Sequence, residues 1–204
     1  MSQDATRLKT PLTRGGNGSL RTGDVALLSG VLFAARDAAH ARIKEAIENG
    51  EPLPFDPEGQ VVYFTGPAPA RPGHALGPAG PTTASRMDPY SPLLIERGLK
   101  GMVGKGVRSE TVLPSMREHG CVYFGAVEGT AALLADRVKE AEVVAYEDLG
   151  AEAVRRLVVD DFPVVVVNDL YGGDLYREGW ERWRRPVSRG SGSTGKAPKD
   201  LRKS

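Results

Sequence analysis

Residues 102–126 read MVGKGVRSETVLPSMREHGCVYFGA: an apolar run, a Gly-Lys-Gly turn, a helix-forming segment and a second apolar run. Met102–Gly104 and Cys121–Ala126 have the length and the β-branched and aromatic content of strands. Between them Ser109 is a capping residue and Gly120 a stop, which predicts a helix from about Ser109 to His119. A strand, a crossover helix and a second strand form the unit that lays two strands parallel under a helix.

The same alternation extends in both directions. Upstream, VVYFT at 61–65 reads as a strand, and Gly66–Pro81 follows, where nine of sixteen residues are Gly or Pro. That composition rules out a regular element and predicts a shaped loop. The hydroxyls of Thr82 and Thr83 ahead of better helix formers predict a helix start, with a second short helix over 92–97. Downstream, 129–138 is an Ala/Leu-rich helix and 142–146 a strand. Strands alternating with helices from 61 to 146 predict an α/β fold with a largely parallel sheet.

Nearer the N-terminus, DVALLSGVLFAA at 24–35 is a long apolar run broken by Gly30, expected to be one bent strand or a strand pair. Arg36–Asn49 is helical, with Ala38, Ala39, Ile43, Ala46 and Ile47 at helical spacing and Gly50 as the stop. At the other end, 155–168 holds two β-branched runs around Asp160-Asp161-Phe162-Pro163. The first and last strands are candidates for a separate β element. Residues 1–19 are expected to be a loose arm, 20–176 a single domain, and 177–204 a basic, largely disordered tail in which Trp180 and Trp183 could dock on the body.

Composition narrows the function classes. Apolar residues make up 40% and charged residues 26%, as in an ordinary globular chain. The net charge of +1 hides an asymmetry: 177–204 carries nine basic and three acidic residues, the rest 18 basic and 23 acidic. An acidic body without a recognition fold speaks against nucleic acid as a partner. One cysteine, Cys121, excludes an intramolecular disulfide and CxxC metal sites, and cannot hold an iron–sulfur cluster alone. No apolar run is long enough for a membrane span and no signal-peptide core is present, so a cytoplasmic protein is the expectation.

No cluster of residues here makes a self-sufficient active site. His40, His74 and His119 are not at zinc-ligand spacing, and no GxSxG occurs. Gly104-Lys105 lacks the first glycine and the magnesium-binding hydroxyl of a phosphate loop, since Leu99 and Gly106 stand in those places. What does recur is a polar residue at the end of each strand: Arg36 after the first, Thr82 and Arg86 after the Gly/Pro loop, Lys105 after the third. In an α/β sheet such positions share one edge, where ligands bind. Two arginines and a lysine there would suit a doubly charged anion. Singly, each has a blander reading: a solvated arginine, a threonine cap, a packed histidine.

Beyond this, LRTGDVALLSGVLFAARDAAHARI, VVYFTGP, GPAGPTTASRMD, MVGKGVRSE and CVYFGAVEGTAALLA resemble, in the same order, the C-terminal region of class I fumarases and the β subunit of L(+)-tartrate dehydratase. The GPTT-x-x-RMD string ahead of KG-x-RS, with RDAAH upstream, is the most specific part. The resemblance implies a swivelling β/β/α domain that closes over a [4Fe–4S] cluster held by three cysteines of a cluster-bearing α subunit, in an α2β2-type assembly. It implies a hydro-lyase acting on a four-carbon dicarboxylate, fumarate to malate favoured and tartrate to oxaloacetate the alternative. The competing class is a non-catalytic dicarboxylate-binding module. By motif, Arg36 and Arg86 match carboxylate-binding arginines, Lys105 a catalytic, substrate-binding lysine, and Thr82 the proposed base for the C3 proton. A hydroxyl is a poor base near neutral pH, so Thr82 would need activation by cationic neighbours or a helix N-terminus. Asp37, His40 and Asp88 are expected to orient the arginines rather than touch substrate.

Overall fold

The computed structural model describes residues 5–127 and 129–184. Its elements are β1 (Thr6–Lys9), α1 (Arg14–Asn17), β2 (Val25–Ala34), α2 (Asp37–Asn49), β3 (Val61–Tyr63), α3 (Ser91–Ile95), β4 (Gly101–Gly104), α4 (Leu113–His119), β5 (Val122–Gly125), α5 (Ala131–Asp136), β6 (Val138–Ala145), β7 (Val154–Asn168) and α6 (Leu175–Trp183). Two 3-10 segments, Ala84–Met87 and Glu147–Glu152, complete them.

The strands form one mixed sheet in the order β1-β2-β3-β4-β5-β7-β6, and β2 also pairs with β7. That extra pairing closes β2, β3, β4, β5 and β7 into a small barrel-like ring. Pairs β1–β2, β2–β3, β3–β4 and β4–β5 are parallel, whereas β7 runs antiparallel to β2, β5 and β6.

Strand periodicity sorts the side chains into two cores. Val61 and Tyr63 of β3 join Leu28, Leu32, Phe124, Phe162 and Val164 inside the ring. Val62 and the following Phe64 face the other way, toward Ile43, Met87, Leu94, Ile95 and Met116 under the helices. Successive residues of a strand point to opposite faces, so a parallel strand covered on both sides must be apolar throughout. The unbroken apolar runs VVYF and CVYF meet that demand. The Gly/Pro loop closes one end of the ring: Leu76 and Ala79 are buried in its core, and the Tyr63 hydroxyl donates to the Ala79 carbonyl.

Several expectations need correction. Residues 1–19 are not a loose arm over their described part: β1 pairs parallel with β2 in the register Thr6↔Ala26 to Lys9↔Ser29. Leu12 and Leu20 are buried, and the Asn17 side-chain amide donates to the carbonyls of Lys100 and Gly120. β1 fills the length of the β2 edge that short β3 leaves unpaired; a four-residue strand with one apolar residue, Leu8, between two basic ones has no apolar pattern to betray it. Of the two readings of the run at 24–35, the single bent strand holds: it is β2, with a bulge near Gly30. It pairs along most of its length with β7, within the common sheet rather than as a separate element.

The helix expected at Thr82 is a 3-10 turn, and α4 begins at Leu113 instead of near Ser109. β6 starts at Val138 because its backbone pairs with β7 from Val159 onward, which shortens α5. Residues 177–183 belong to α6, capped by the Asp174 carboxylate, which accepts from the amides of Tyr176 and Arg177. Trp180 and Trp183 are 67% and 77% exposed and do not dock on the body. The remainder of the expected tail, 185–204, lies outside the described residues.

Candidate active site

Strands β2 to β5 run parallel, so their carboxyl ends share one edge of the ring. Arg36 leaves β2 there and precedes the first residue of α2. The segment after the Gly/Pro loop inserts beside the end of β4: the Thr82 amide donates to the Phe64 carbonyl at 2.6 Å, and the Lys105 amide donates to the Thr82 carbonyl at 3.1 Å. The Ala84 amide returns a bond to the Lys105 carbonyl at 2.8 Å, and Thr83 and Lys105 form a parallel bridge. Thr82 and Lys105 are thus fixed against each other by main-chain bonds. Gly104 makes the approach possible, since a Cβ there would lie 3.2 Å from both the Thr82 carbonyl oxygen and the Ala84 Cβ.

The arginines meet on one carboxylate. Asp37 Oδ2 lies 3.1 Å from Arg36 Nε, and Asp37 Oδ1 lies 2.7 Å from Arg86 Nε. Burial pushes Asp37 up, but its own backbone amide and the two guanidiniums outweigh this and hold it below its ordinary value. Asp37 takes each arginine by Nε, and the Arg86 side chain is 50% exposed. The paired Nη atoms of Arg86 form the fork suited to a ligand carboxylate, whereas Arg36 Nη2 already faces Glu152.

Two further acids bear on these groups. Glu152 Oε1 lies 3.5 Å from Arg36 Nη2, and Glu152 Oε2 accepts from the Ala38 amide. Glu152 is 116 positions from Arg36 and belongs to no motif, so nothing in the sequence pointed to it. Asp88 is the correction. It does not orient Arg36 or Arg86 through any ion pair among the described residues; its partner is Arg108, 3.0 Å from Oδ1, and its Oδ2 accepts from the Ser109 amide. Arg108 is buried, donates to the Ala84 carbonyl and to Ser91 Oγ, and lies over the rings of Phe64 and Tyr123. It therefore ties the turn carrying Arg86 to the loop carrying Lys105. The string KG-x-RS contains it; its burial was the missing signal.

A groove of about 500 Å³ opens beside Lys105 and Thr83, walled by Val127, Val165, Val167 and Tyr176 among others. Arg36, Arg86 and Thr82 lie on the same strand-end edge but not in that lining.

The family described as "Fumarase C-terminus" matches residues 2–179. The chain belongs to that family. Among its relatives, "Fumarate hydratase 2" of Leishmania major is 44% identical over 156 residues, 76% of this chain and 28% of that protein. "Fumarate hydratase class I, aerobic" of Escherichia coli strain K12 is 40% identical over 153 residues, covering 74% and 28%. A chain provisionally named L(+)-tartrate dehydratase subunit beta, from Methanocaldococcus jannaschii, is 36% identical over 165 residues, covering 78% and 85%. The chain therefore spans about a quarter of the length of these fumarate hydratases and most of the archaeal subunit.

This Fumarase C-terminus domain has one cysteine, which cannot hold an iron–sulfur cluster alone. Cys121 is buried at the start of β5, where burial pushes its thiol up to about 12, far from the thiolate a cluster needs. Among the described residues no three His, Cys, Asp or Glu side chains gather to hold a metal ion. No described helix is long and apolar enough to cross a membrane.

His40 is a supporting residue of the domain. It is buried on α2 against Phe64 and Tyr90, with Nδ1 3.0 Å from the Arg36 carbonyl. A carbonyl only accepts, so Nδ1 carries the proton and the bond holds the Arg36 backbone in place. Burial pulls the imidazole down to about 4 from 6.5. The unfolded chain then binds more protons between those values, so the contribution is complete above pH 6.5 and lost as pH falls toward 4. Over that window unfolding free energy should drop by about 3 kcal/mol on this account. Urea unfolding of wild type and His40→Asn at pH 7 and pH 4.5 checks it: the loss should shrink in the variant, and an equal loss in both assigns the acid sensitivity elsewhere.

Proposed function

We propose that this chain is the β subunit of an iron–sulfur-dependent hydro-lyase, hydrating and dehydrating a four-carbon dicarboxylate. It acts as a swivelling β/β/α domain that closes over a [4Fe–4S] cluster held by three cysteines of a separate α subunit, in an α2β2-type assembly. The observation that carries this reading is the meeting of Arg36 and Arg86 on Asp37, on the same strand-end edge as the bonded Thr82–Lys105 pair.

In this reading the guanidiniums of Arg36 and Arg86 bind one carboxylate of the substrate, Arg86 through its fork, and Lys105 binds the other. A dianion pinned at both ends has its C2 and C3 substituents oriented before reaction. Thr82 removes or returns the C3 proton. Its carbonyl accepts from Lys105 and its amide donates to Phe64, so the hydroxyl is presented from a main chain that cannot turn. The cationic residues on this edge favour the alkoxide form that a base requires. Because the chain has no cluster ligand, it is inactive without its partner.

Fumarate is favoured by the stronger identity to the two fumarate hydratases. Tartrate is the second reading, favoured by the 85% coverage of the archaeal subunit. Co-expression with a cluster-bearing α chain under anaerobic conditions, followed by assays with fumarate and with tartrate, separates them. The expected result is fumarate hydration by the complex and none by either chain alone. A purified complex that turns over neither substrate refutes the hydro-lyase reading.

A further inference from the structure

Among the described residues that line the groove beside Lys105, Thr83, Lys105 and Tyr176 are those with polar side chains. Tyr176 enters it from α6, outside every motif considered above. Its position is set locally: the Asp174 carboxylate caps α6 by accepting from the Tyr176 amide, and Asp174 itself bridges to Asn168 at the end of β7.

The Tyr176 hydroxyl oxygen accepts from the Gly106 amide at 3.1 Å. On the other side of the same residue, the Tyr123 hydroxyl donates to the Gly106 carbonyl at 3.0 Å. Two phenols, one from β5 and one from α6, therefore hold the peptide that follows Lys105. Gly106 has φ 79°, which a side chain would resist, so the turn that aims Lys105 depends on glycine and on these two bonds.

A phenol that accepts an N–H still has its own proton to donate. Accepting that bond polarises the O–H and strengthens its donation. Among the described residues the groove around it is otherwise walled by aliphatic side chains and glycines, and a ligand lying against Lys105 would offer the phenol an acceptor. We infer that Tyr176 is a substrate-contacting residue, whose hydroxyl donates to the substrate carboxylate held by Lys105 while its oxygen fixes Gly106. This rests on the dicarboxylate reading proposed above.

Tyr176→Phe removes the hydroxyl and keeps the ring, and two measurements decide the matter. In the assembled complex, KM for malate should rise about tenfold with kcat changed less than about twofold, the pattern of a contact made equally in ground and transition states. In the full-length chain labelled with ¹⁵N, the Gly106 amide should move on adding malate to wild type and should respond far less in Tyr176→Phe. Unchanged KM, or a lowered melting temperature with malate response intact, overturns the contact and leaves Tyr176 a structural clamp. A wild-type chain whose Gly106 amide ignores malate also overturns it. If the wild-type complex turns over neither fumarate nor tartrate while malate still shifts Gly106 through Tyr176, the contact stands and the hydro-lyase reading falls.

Discussion

Arg86→Ala in the assembled complex should lower kcat/KM by about two to three orders of magnitude and leave assembly and cluster content unchanged. The size follows from the chemistry of the lost fork. Each hydrogen bond to a charged group contributes about 1.5–3 kcal/mol, and a bidentate arginine supplies two, so about 3–4 kcal/mol of binding to a carboxylate is at stake after non-additivity. Folding has little to lose by comparison. Arg86 is half exposed and its ion pair with Asp37 lies at a partly solvated site, where such pairs contribute about 0–1 kcal/mol. Arg86→Lys should recover only a small part of the activity, because an ammonium cannot form the fork and would not reach Asp37 in the same geometry. Steady-state kinetics with gel filtration and iron analysis on the same preparations decide the outcome. Loss of the complex on substitution would make Arg86 an interface residue and remove it from the substrate site.

The parts of this fold legible in the sequence were those where a local pattern and a tertiary demand coincide. VVYFT and CVYFGA read as strands because parallel strands covered on both faces must be apolar throughout, and α2 read as a helix because one face packs on the ring while Gly50 ends it. Ring closure was not legible. It depends on β7 pairing with β2 across more than a hundred residues, and β-branched runs announce a strand without naming its neighbour. β1 was missed because its pattern is nearly all polar, although its backbone completes the β2 edge.

The candidate site divides along the same line. Strand-end position placed Arg36, Thr82, Arg86 and Lys105 on one edge, and they do lie at the carboxyl ends of parallel strands or in the turns that follow. The partners of those residues could not be read from spacing. Asp37 joins two arginines from different elements, Glu152 arrives from a 3-10 segment late in the chain, and Asp88 turns away to Arg108. An acidic residue near an arginine in sequence is a poor guide to which arginine it serves in space.

Arg108→Met should cost the full-length chain about 3–5 kcal/mol of unfolding free energy, a large share of the 5–15 kcal/mol that holds a domain of this kind together. The Arg108 side chain has no solvent exposure and that of Asp88 only 10%. Burial pulls the guanidinium down and the Asp88 carboxylate works against that, so the charge persists through its partner. Removing it strands a buried carboxylate and withdraws donors from the Ala84 carbonyl and from Ser91 Oγ. Among the described residues the pair is not saturated: Arg108 Nε has no hydrogen-bond acceptor, and Asp88 Oδ1 meets Nη2 as an ion pair off the hydrogen-bonding direction. Phe64 and Tyr123, with ring centres 5.4 and 5.5 Å from the guanidinium carbon, supply part of the missing stabilisation as cation–π contacts. Asp88→Asn combined with Arg108→Met separates charge from shape, because asparagine still offers an acceptor to the Ser109 amide without a buried charge. The double variant should regain a measurable part of the single variant's loss in urea unfolding, and a double-mutant cycle gives the coupling. A cost below about 1 kcal/mol for Arg108→Met would mean that the turn bearing Arg86 and the loop bearing Lys105 are held by their main-chain bonds alone. The buried pair would then have no part in shaping the site.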